Sequence, residues 1–387
     1  MNDWGRLDMT SELSSLCSYA KGKVSVDTLS KRNYVSTENM MPNKGGIVDA
    51  GALPSAQYTQ QYIKDDILVS NIRPYFKKIW MADDDGGCSN DVLVFRADRG
   101  CDSTFLYYIL ANDAFFNYAS ATSKGTKMPR GDKTAIMQYK VPCFNYETQL
   151  RIGKLLRSID DRIAVNKKIN DNLQQQLFSL YENMATASPC LKEYTLSNLC
   201  DFQEGYVNPP QTHPEYFDGE VKWLRAVDIN ESFIIETSRT LTKAGFESAK
   251  KSALLFEPNT IAISKSGTIG RLGIIADYMC GNRAVINIAP HDTNMLAFIY
   301  CFLKSKQREF PDMAVGSVQK NLYVSLLEPL SVSIPDNESL TAFNAVGASI
   351  LGMIHNNCVE NTDLANLRDT ILPKLMSGEI DVSSVLL

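Results

Sequence analysis

Several protein classes are excluded by what this 387-residue sequence lacks. Its nine cysteines are odd in number and include no Cys-x-x-Cys pair, so neither a disulfide framework nor a zinc site is indicated. No apolar run approaches the roughly 18 residues of a membrane span, and Met1-Asn2-Asp3-Trp4 lacks the basic and apolar regions of a signal peptide. We therefore expect free, buried thiols in a reducing cytoplasm and no contact with a membrane.

Catalytic motifs are missing as well. There is no Gly-x-x-x-x-Gly-Lys-Ser/Thr phosphate loop, and the three histidines share no metal-ligand spacing (His213, His291 and His355). Asn208-Pro209-Pro210 resembles the start of the Asn-Pro-Pro-aromatic signature of adenine-N6 methyltransferases, but Gln211 stands where the aromatic residue belongs. The sequence therefore predicts a binding protein with no catalytic residue and no metal site.

What the sequence does contain is a duplication, seen first in two apolar stripes with spacing of three and four residues. Such a stripe, sustained over several heptads, predicts a long helix packed along a partner helix. A shift of 191 positions superimposes the first stripe on the second, placing Ile159 on Ile350 and Asn166 on Asn357. The predicted helix-core residues are Ile159, Ile163, Asn166, Leu173 and Leu177 in the first helix and Ile350, Ile354, Asn357, Leu364 and Leu367 in the second.

The segments that precede the two helices repeat too, at offsets of about 191 to 194. Each copy has a β-run (66–70 and 260–264), an apolar helix, a glycine and a last strand that ends at a proline. A long repeat present twice gives two domains plus a helical core. The predicted boundaries are 1–146 for the first domain, 147–186 for the first long helix, 187–337 for the second domain and 338–380 for the second long helix.

Local patterns predict mixed α and β content in each domain. Residues 221–224, 272–275 and 285–288 are typical of strands, and 267–270 predicts a hairpin turn. Single apolar helices are expected around 105–118 and 295–306. The predicted fold class is α+β, with two similar mixed α/β domains joined by two long antiparallel coiled-coil helices in a pseudo-two-fold repeat.

The net charge of −5 conceals basic clusters that occur in both domains. Binding to phosphates depends on such clusters rather than on the sum of charges, and arginine or amide side chains can bond base edges. The candidates for nucleic-acid contact are Arg73, Lys77, Lys78, Lys124, Lys127 and Arg130 in the first domain and Arg225, Lys265, Arg271, Gln319 and Lys320 in the second.

Three stretches and two dipeptides match a known family when taken together. They are Asp66-Ile67-Leu68-Val69-Ser70-Asn71-Ile72-Arg73-Pro74-Tyr75, Lys222-Trp223-Leu224-Arg225-Ala226-Val227-Asp228-Ile229, Ser264-Lys265-Ser266-Gly267-Thr268-Ile269-Gly270, Val141-Pro142 and Ile334-Pro335. On these motifs nearly the whole chain resembles the specificity (S) subunits, or HsdS family, of type I restriction-modification systems. The resemblance implies two target-recognition domains held apart by two antiparallel helices.

The same resemblance implies the partners and the absence of catalysis by this chain alone. The expected ligand is double-stranded DNA, and the expected protein partners are two methyltransferase (M) subunits and restriction or motor (R) subunits. S-adenosylmethionine, ATP and Mg²⁺ are expected on those partners only, so this chain is expected to bind no cofactor. A role in defence against phage is implied as well.

Physical reasoning adds a prediction about the target. Two linked readers gain specificity when both must engage, and the first predicted helix would be roughly 50 Å long at 1.5 Å per residue. We therefore expect a bipartite target with an unread spacer. Asn166 and Asn357, polar at apolar positions, are expected to fix the register of the helices. Two alternatives stay open: a self-contained DNA methyltransferase or nuclease, and a non-catalytic coiled-coil scaffold that binds RNA or protein.

Overall fold

The computed structural model describes residues 10–187, 192–317 and 319–383, so Met1-Asn2-Asp3-Trp4 lies outside the described residues. The chain divides into two units. Unit 1 comprises residues 1–161 and 364–387, and unit 2 comprises residues 162–363. Each of the two longest helices begins in one unit and ends in the other, which is why the unit boundaries fall inside helices.

Unit 1 contains two four-stranded sheets and a two-stranded ribbon. The strands are β1 (Thr10–Glu12), β2 (Cys17–Tyr19), β3 (Lys23–Ser25), β4 (Tyr34–Val35), β5 (Tyr58–Tyr62), β6 (Ile67–Ser70), β7 (Ile79–Met81), β8 (Gly86–Cys88), β9 (Val92–Ala97) and β10 (Lys140–Pro142). Their orders are β2-β9-β6-β7, β3-β5-β8-β4 and β1-β10. The helices of this part are α1 (Ser103–Ala111), α2 (Asp113–Ala121) and α3 (Lys133–Met137).

Successive side chains of the strand β6 point to opposite faces of the sheet, and both faces are covered by a core. Ile67 and Val69 pack in the core under the helices, whereas Leu68 packs in a second core with Val92 and Val94 of β9. A strand covered on both sides has a continuous apolar sequence instead of an alternating one. This accounts for the apolar run in the first repeat.

A long helix, α4 (Tyr146–Ala187), leads into unit 2, which repeats this plan. The strands of unit 2 are β11 (Lys192–Thr195), β12 (Cys200–Glu204), β13 (Phe217–Leu224), β14 (Phe233–Ile234), β15 (Thr240–Leu241), β16 (Ile261–Ser264), β17 (Leu272–Ile275), β18 (Cys280–Gly281), β19 (Val285–Pro290) and β20 (Ser331–Ile334). They form sheets of order β12-β19-β16-β17-β14, β15-β13-β18 and β11-β20. The remaining helices are α5 (Lys243–Glu247), α6 (Leu296–Lys306), α7 (Phe310–Met313), α8 (Val324–Leu327) and α9 (Asn337–Met376).

One predicted helix is wrong in detail. The apolar segment expected as a single helix around 105–118 forms the two helices α1 and α2, which meet at Asn112. The backbone of Asn112 is extended (φ −68°, ψ 139°), and its side chain accepts a hydrogen bond from the Ala114 amide. Asparagine favours such helix-capping positions because its side chain can replace a backbone partner, and this ends α1.

The helices α4 and α9 pack along each other in antiparallel fashion within each unit. In unit 1, Ile152 and Leu156 of α4 share a buried core with Leu372 and Leu375 of α9. In unit 2, Leu177 and Tyr181 of α4 share a core with residues of α9, namely Phe343, Ile350, Leu351 and Ile354. The end of each long helix is therefore part of a unit core and not only of a helix pair.

Four asparagines lie between α4 and α9 in unit 2. Asn166 is 1% exposed, and its amide donates to Asn361 Oδ1 at 3.0 Å and to Glu360 Oε2 at 2.8 Å. The Asn357 amide donates to Asn170 Oδ1 at 2.8 Å. Residues 166 and 170 of α4 thus oppose 361 and 357 of α9, which requires the two helices to run in opposite directions.

The predicted helix-core positions differ in burial. Ile159, Ile163, Leu177, Ile350 and Ile354 are buried, and Leu173, Asn357 and Leu364 are half-buried. Leu367, however, is 49% exposed, so its assignment to the core is wrong. The inward position one residue later is taken by Arg368, which binds the Asp160 carboxylate of α4 at 2.6 Å.

Among the described residues, no helix combines the length and apolar character that a membrane span requires. Over the same ranges, no group of three or more His, Cys, Asp or Glu side chains is placed to hold a metal ion. The cysteines there are free thiols, five of them buried (Cys17, Cys88, Cys200, Cys280 and Cys301). Burial raises the pKa of the Cys200, Cys280 and Cys301 thiols to about 12.

Candidate nucleic-acid interface

In each unit, a loop joins two neighbouring antiparallel strands of the main sheet and contains several of the predicted contact residues. Loop 1 (residues 71–78) joins β6 to β7, and loop 2 (residues 265–271) joins β16 to β17. The pairing of Ile263 with Leu272 and the hydrogen bond from the Ser264 amide to the Arg271 carbonyl confirm the predicted hairpin.

Loop 1 has an unusual backbone that presents two aromatic rings to solvent. Arg73 and Lys77 both have left-handed φ angles, 50° and 51°, on either side of a short turn. Tyr75 and Phe76 within that turn are 52% and 40% exposed, and their ring centroids lie 4.8 Å apart. Exposed aromatic faces beside cations are suited to stacking on unpaired bases or on sugars.

Loop 2 makes its turn with glycine instead. Gly267 and Gly270 have φ angles of 77° and 86°. A Cβ atom at Gly270 would lie 3.0 Å from the Phe310 side chain, whereas one at Gly267 would meet nothing within 4 Å. The two loops therefore occupy equivalent places in their units but use different residue types at the positive φ angles.

A second segment with candidate contact residues lies against each loop. In unit 1, the Arg73 amide donates to the Pro129 carbonyl at 2.8 Å, and Ile72 forms an antiparallel bridge with Arg130. In unit 2, the Leu322 amide donates to the Lys265 carbonyl at 2.9 Å. The structure thus brings residues 124–130 next to loop 1, and residues 319–322 next to loop 2.

Several of the predicted cations already have a partner. In unit 1, Lys77 pairs with Asp113 at 2.8 Å, Arg130 with Asp91 at 3.1 Å, and Lys124 with Asp132. Lys78 donates to the Thr37 carbonyl at 2.6 Å, and burial lowers the pKa of its ammonium group. Apart from Asp132, which interrupts the basic run at 124–140, these partners could not be recognised from the sequence because they are distant in the chain.

Lys265 is the clearest departure from an exposed DNA-contacting cation. Its side chain is only 12% exposed, its ammonium group lies 2.8 Å from Glu204 Oε1, and it also lies 4.7 Å from the centre of the Tyr323 ring. In this structure the ion pair holds Lys265 under loop 2, and its contact with DNA stays a prediction.

Five of the other candidates are not engaged by a carboxylate partner in the described part of the chain. Among the described residues, Lys127, Arg271 and Lys320 have no carboxylate within ion-pair distance, and Lys127, Gln319 and Lys320 are exposed. Arg73 is half-buried, and its Nε atom has no hydrogen-bond partner there. These five side chains are the candidate contacts of the two separate interfaces, two in unit 1 and three in unit 2.

Arg225 occupies a different part of unit 2. It follows β13, and its guanidinium group lies 5.6 Å from the centre of the Trp223 ring and 3.7 Å from the Asp228 carboxylate (the Nε–Oδ2 distance). Its side chain is 27% exposed. Stacking and ion pairing both hold it in the loop after β13 rather than in loop 2.

The fold and these loops define a class of protein: a duplicated binding protein in which each repeat presents a hairpin loop and an adjoining basic segment. The type I restriction modification DNA specificity domain matches this chain twice, at residues 9–175 and 191–362. The chain belongs to this family and is a specificity subunit of a type I restriction-modification system. This confirms the family resemblance and the predicted fold class.

Individual relatives agree with this membership. The MjaIX specificity subunit of Methanocaldococcus jannaschii is 24% identical over 308 residues, which cover 74% of this chain and 71% of the relative. The HindI specificity subunit of Haemophilus influenzae is 27% identical over 176 residues, covering 44% of this chain and 38% of that protein. The S subunit structure from M. genitalium has the same fold, with a TM-score of 0.57, 18% identity and coverage of 97% and 98% of the two chains. Specificity subunits are in general the non-catalytic members of complexes with DNA and other restriction-modification subunits.

Proposed function

We propose that this chain reads a bipartite sequence in duplex DNA, one half-site with each unit, and leaves the spacer between the half-sites unread. The main support is that each repeat has the same pair of adjoining loops, with at least one cation that lacks a carboxylate partner in the described residues (Lys127 in unit 1, Arg271 and Lys320 in unit 2). Arginine can bond guanine in bidentate fashion, and glutamine can do so with adenine. Lysines that contact phosphates would set the position of each unit on the duplex.

We further propose that α4 and α9 set the distance between the half-sites. A helix is stiff and lengthens by about 1.5 Å per residue, whereas a flexible linker would accept many separations. The asparagine contacts between the two helices oppose sliding, because a shift of one turn would leave buried amides without partners.

The proposal includes the partners and cofactors expected above. Two methyltransferase subunits and the restriction or motor subunits would bind this chain, and those subunits would use S-adenosylmethionine, ATP and Mg²⁺. The chain itself would bind none of these cofactors and catalyse no step. Its place of action would be the cytoplasm, where it meets host DNA and foreign DNA.

The direct test is methylation-sensitive sequencing of host DNA with and without the gene for this chain. We expect one methylated motif made of two short half-sites with a fixed unread spacer, and its loss when the gene is deleted. A motif that persists without the gene would refute the proposal. Preferential binding of RNA in a competition with duplex DNA would favour the scaffold alternative.

A length change tests the spacing role. One heptad inserted between Asp161 and Arg162 of α4, together with one inserted between Asp363 and Leu364 of α9, lengthens both helices by about 10 Å. At about 3.4 Å per base pair, the spacer should grow by roughly three base pairs while both half-sites are kept. As a control, seven residues inserted at the exposed turn at Asp84 should leave the spacer unchanged. An unchanged spacer in the lengthened variant would refute the role of the helices.

A further inference from the structure

Unit 1 contains a cleft outside the candidate interface, with a volume of about 520 Å³. It lies between the two four-stranded sheets, since its lining comes from the ends of β2 and β3, from β5, and from β9. Three lysines surround it: Lys21 and Lys23 on either side of a glycine, and Lys133 at the start of α3. The polar part of the wall also includes Tyr58, which is 54% exposed, Thr59, Gln60 and Asn90.

The charge of this cleft is uncompensated. No aspartate or glutamate lines it. Lys21, Lys23 and Lys133 are exposed, and none has a carboxylate within ion-pair distance among the described residues. This contrasts with the neighbouring cations Lys124 and Arg130, which are paired with Asp132 and Asp91. Three unpaired ammonium groups around one concavity create a local positive potential that attracts anions.

Two of the chain segments that line the cleft continue into residues that contact loop 1. Asn90, in the cleft wall, precedes Asp91, whose carbonyl accepts from the Asn71 amide of loop 1 at 2.8 Å and whose carboxylate binds Arg130. Lys133 follows Gly131, whose amide donates to the Asn71 carbonyl at 3.1 Å. A polyanion lying on loop 1 would therefore need only a short extension to reach the cleft.

The repeat in unit 2 lacks this feature, and strand register shows why. Tyr19 opposes Phe95 and Phe202 opposes Ile288 in the equivalent strand pairs, so Lys21 corresponds to Glu204. The position of Lys23 is then that of Tyr206, whose hydroxyl donates to Glu204 at 2.8 Å.

The third lysine is absent from unit 2 as well. Lys133 is the first residue of α3, and the first residue of the equivalent helix α8 is Val324. Where unit 1 has three cations, unit 2 has a carboxylate paired with Lys265, a tyrosine and a valine. The two repeats therefore differ in charge at this place because different residues occupy the equivalent positions.

We propose that the Lys21–Lys23–Lys133 cleft binds the phosphodiester backbone of duplex DNA, so that unit 1 holds the backbone more strongly than unit 2. This inference rests on the proposed function. Lysine fits the role because its ammonium group is a compact point charge without the planar fork that reads a base edge. The cleft then contributes affinity and position without sequence information.

The test is the salt dependence of DNA binding by the full chain in complex with its methyltransferase subunits. Each neutralised phosphate contributes about 0.9 to the slope of log K against log salt. The variant Lys21→Gln/Lys23→Gln/Lys133→Gln should lower the magnitude of that slope by about 2 to 3. The ratio of affinities for target and non-target duplexes should stay the same, since phosphate contacts do not discriminate between sequences.

Two matched triple variants accompany it. Lys21→Arg/Lys23→Arg/Lys133→Arg keeps the charge and should keep the parent slope. Lys31→Gln/Arg32→Gln/Lys64→Gln removes three exposed cations of unit 1 that do not line the cleft and should also keep it. The proposal would be overturned if the Lys21→Gln/Lys23→Gln/Lys133→Gln variant kept the salt slope of the parent. It would also be overturned if the Lys31→Gln/Arg32→Gln/Lys64→Gln control lowered that slope by the same amount. A parent complex without any sequence preference, but with a slope that depends on the cleft, would refute the proposed function and uphold the cleft.

Discussion

The two hairpin loops show how one repeat has been adapted in two ways. Unit 2 turns its chain with Gly267 and Gly270, residues that adopt positive φ angles readily. Unit 1 uses Arg73 and Lys77 at such angles, at a conformational cost of roughly 1–2 kcal/mol each. Strain kept at a surface loop indicates that the side chains matter there. Loop 1 therefore holds two long basic side chains at backbone angles for which loop 2 uses glycine.

The long helices differ between the units in the same manner. In unit 1, the Asp160 carboxylate accepts from the Tyr108 hydroxyl and from the Arg368 guanidinium group, both at 2.6 Å. The repeat places Leu351 at the position equivalent to Asp160, 191 residues later, and Leu177 at the position equivalent to Arg368, 191 residues earlier. Both leucines are buried in the core of unit 2. A polar group of three side chains in one half is thus replaced by an apolar contact in the other.

The largest expected effect comes from breaking this polar group. Asp160→Leu should lower the free energy of unfolding by roughly 2–3 kcal/mol, because it leaves Arg368 and Tyr108 without their shared partner in a partly buried place. The double variant Asp160→Leu/Arg368→Leu imitates unit 2 and should recover most of the loss. Urea denaturation of the three proteins measures both values. A double variant no more stable than the single one would show that the two halves are not interchangeable.

A smaller effect is expected at the ion pair under loop 2. Glu204→Gln should cost about 1–2 kcal/mol, because Lys265 is largely buried and would keep its charge without a counter-charge. The control is Lys21→Gln at the equivalent position of unit 1, which has no partner to lose and should leave stability within about 0.5 kcal/mol of the parent. Thermal denaturation compares the two. Equal losses would mean that the difference between the units has no energetic basis.

The glycine comparison predicts a still smaller effect. Gly267→Ala should cost about 1 kcal/mol through backbone conformation alone, since the added Cβ meets no atom within 4 Å. Arg73→Gly should change stability by less than about 0.5 kcal/mol, because relief of strain offsets the greater freedom of the unfolded chain. The same variant should weaken DNA binding several-fold. If Arg73→Gly changed neither DNA binding nor stability, a role of the Arg73 side chain in DNA binding would be contradicted.

The smallest effect concerns acid stability of the helix pair in unit 2. Hydrogen bonds from Arg162 and Asn166 lower the pKa of Glu360. A lowered folded-state pKa adds stability above the pKa of the unfolded state, and this is lost as the pH falls through the folded-state value. Glu360→Gln should therefore be less stable than the parent at pH 7, and the urea midpoints should converge below about pH 4. A constant difference down to pH 3 would contradict this.

Most of the fold could be predicted because apolar residues recur at regular spacing and because the sequence contains two copies of each element. Strands β6 and β16 and the two long helices were evident because apolar spacing alone specifies them. Asn112 was missed because a capping asparagine inside an apolar segment resembles a tolerated helix residue. Leu367 was misplaced because a stripe read from apolar residues cannot include an inward arginine.

The candidate site was predictable only in outline. The basic segments were found at equivalent places of the two repeats, but that they adjoin the hairpin loops was learned only from the structure. Their carboxylate partners were not found, since Asp91, Asp113 and Glu204 lie far along the chain from the cations they neutralise. The cleft was missed for the same reason, because Lys133 is remote in sequence from Lys21 and Lys23 and no pattern indicates that the three lysines meet.

The asparagine contacts have one more consequence. The shift of 191 positions turns Asn166 into Asn357 and Asn170 into Asn361, so the contact 166–361 becomes 357–170, which is the other contact in the structure. The interface is self-complementary, as in an isologous homodimer. At these asparagines each repeat therefore offers the groups that its copy requires, and covalent fusion makes their association independent of protein concentration.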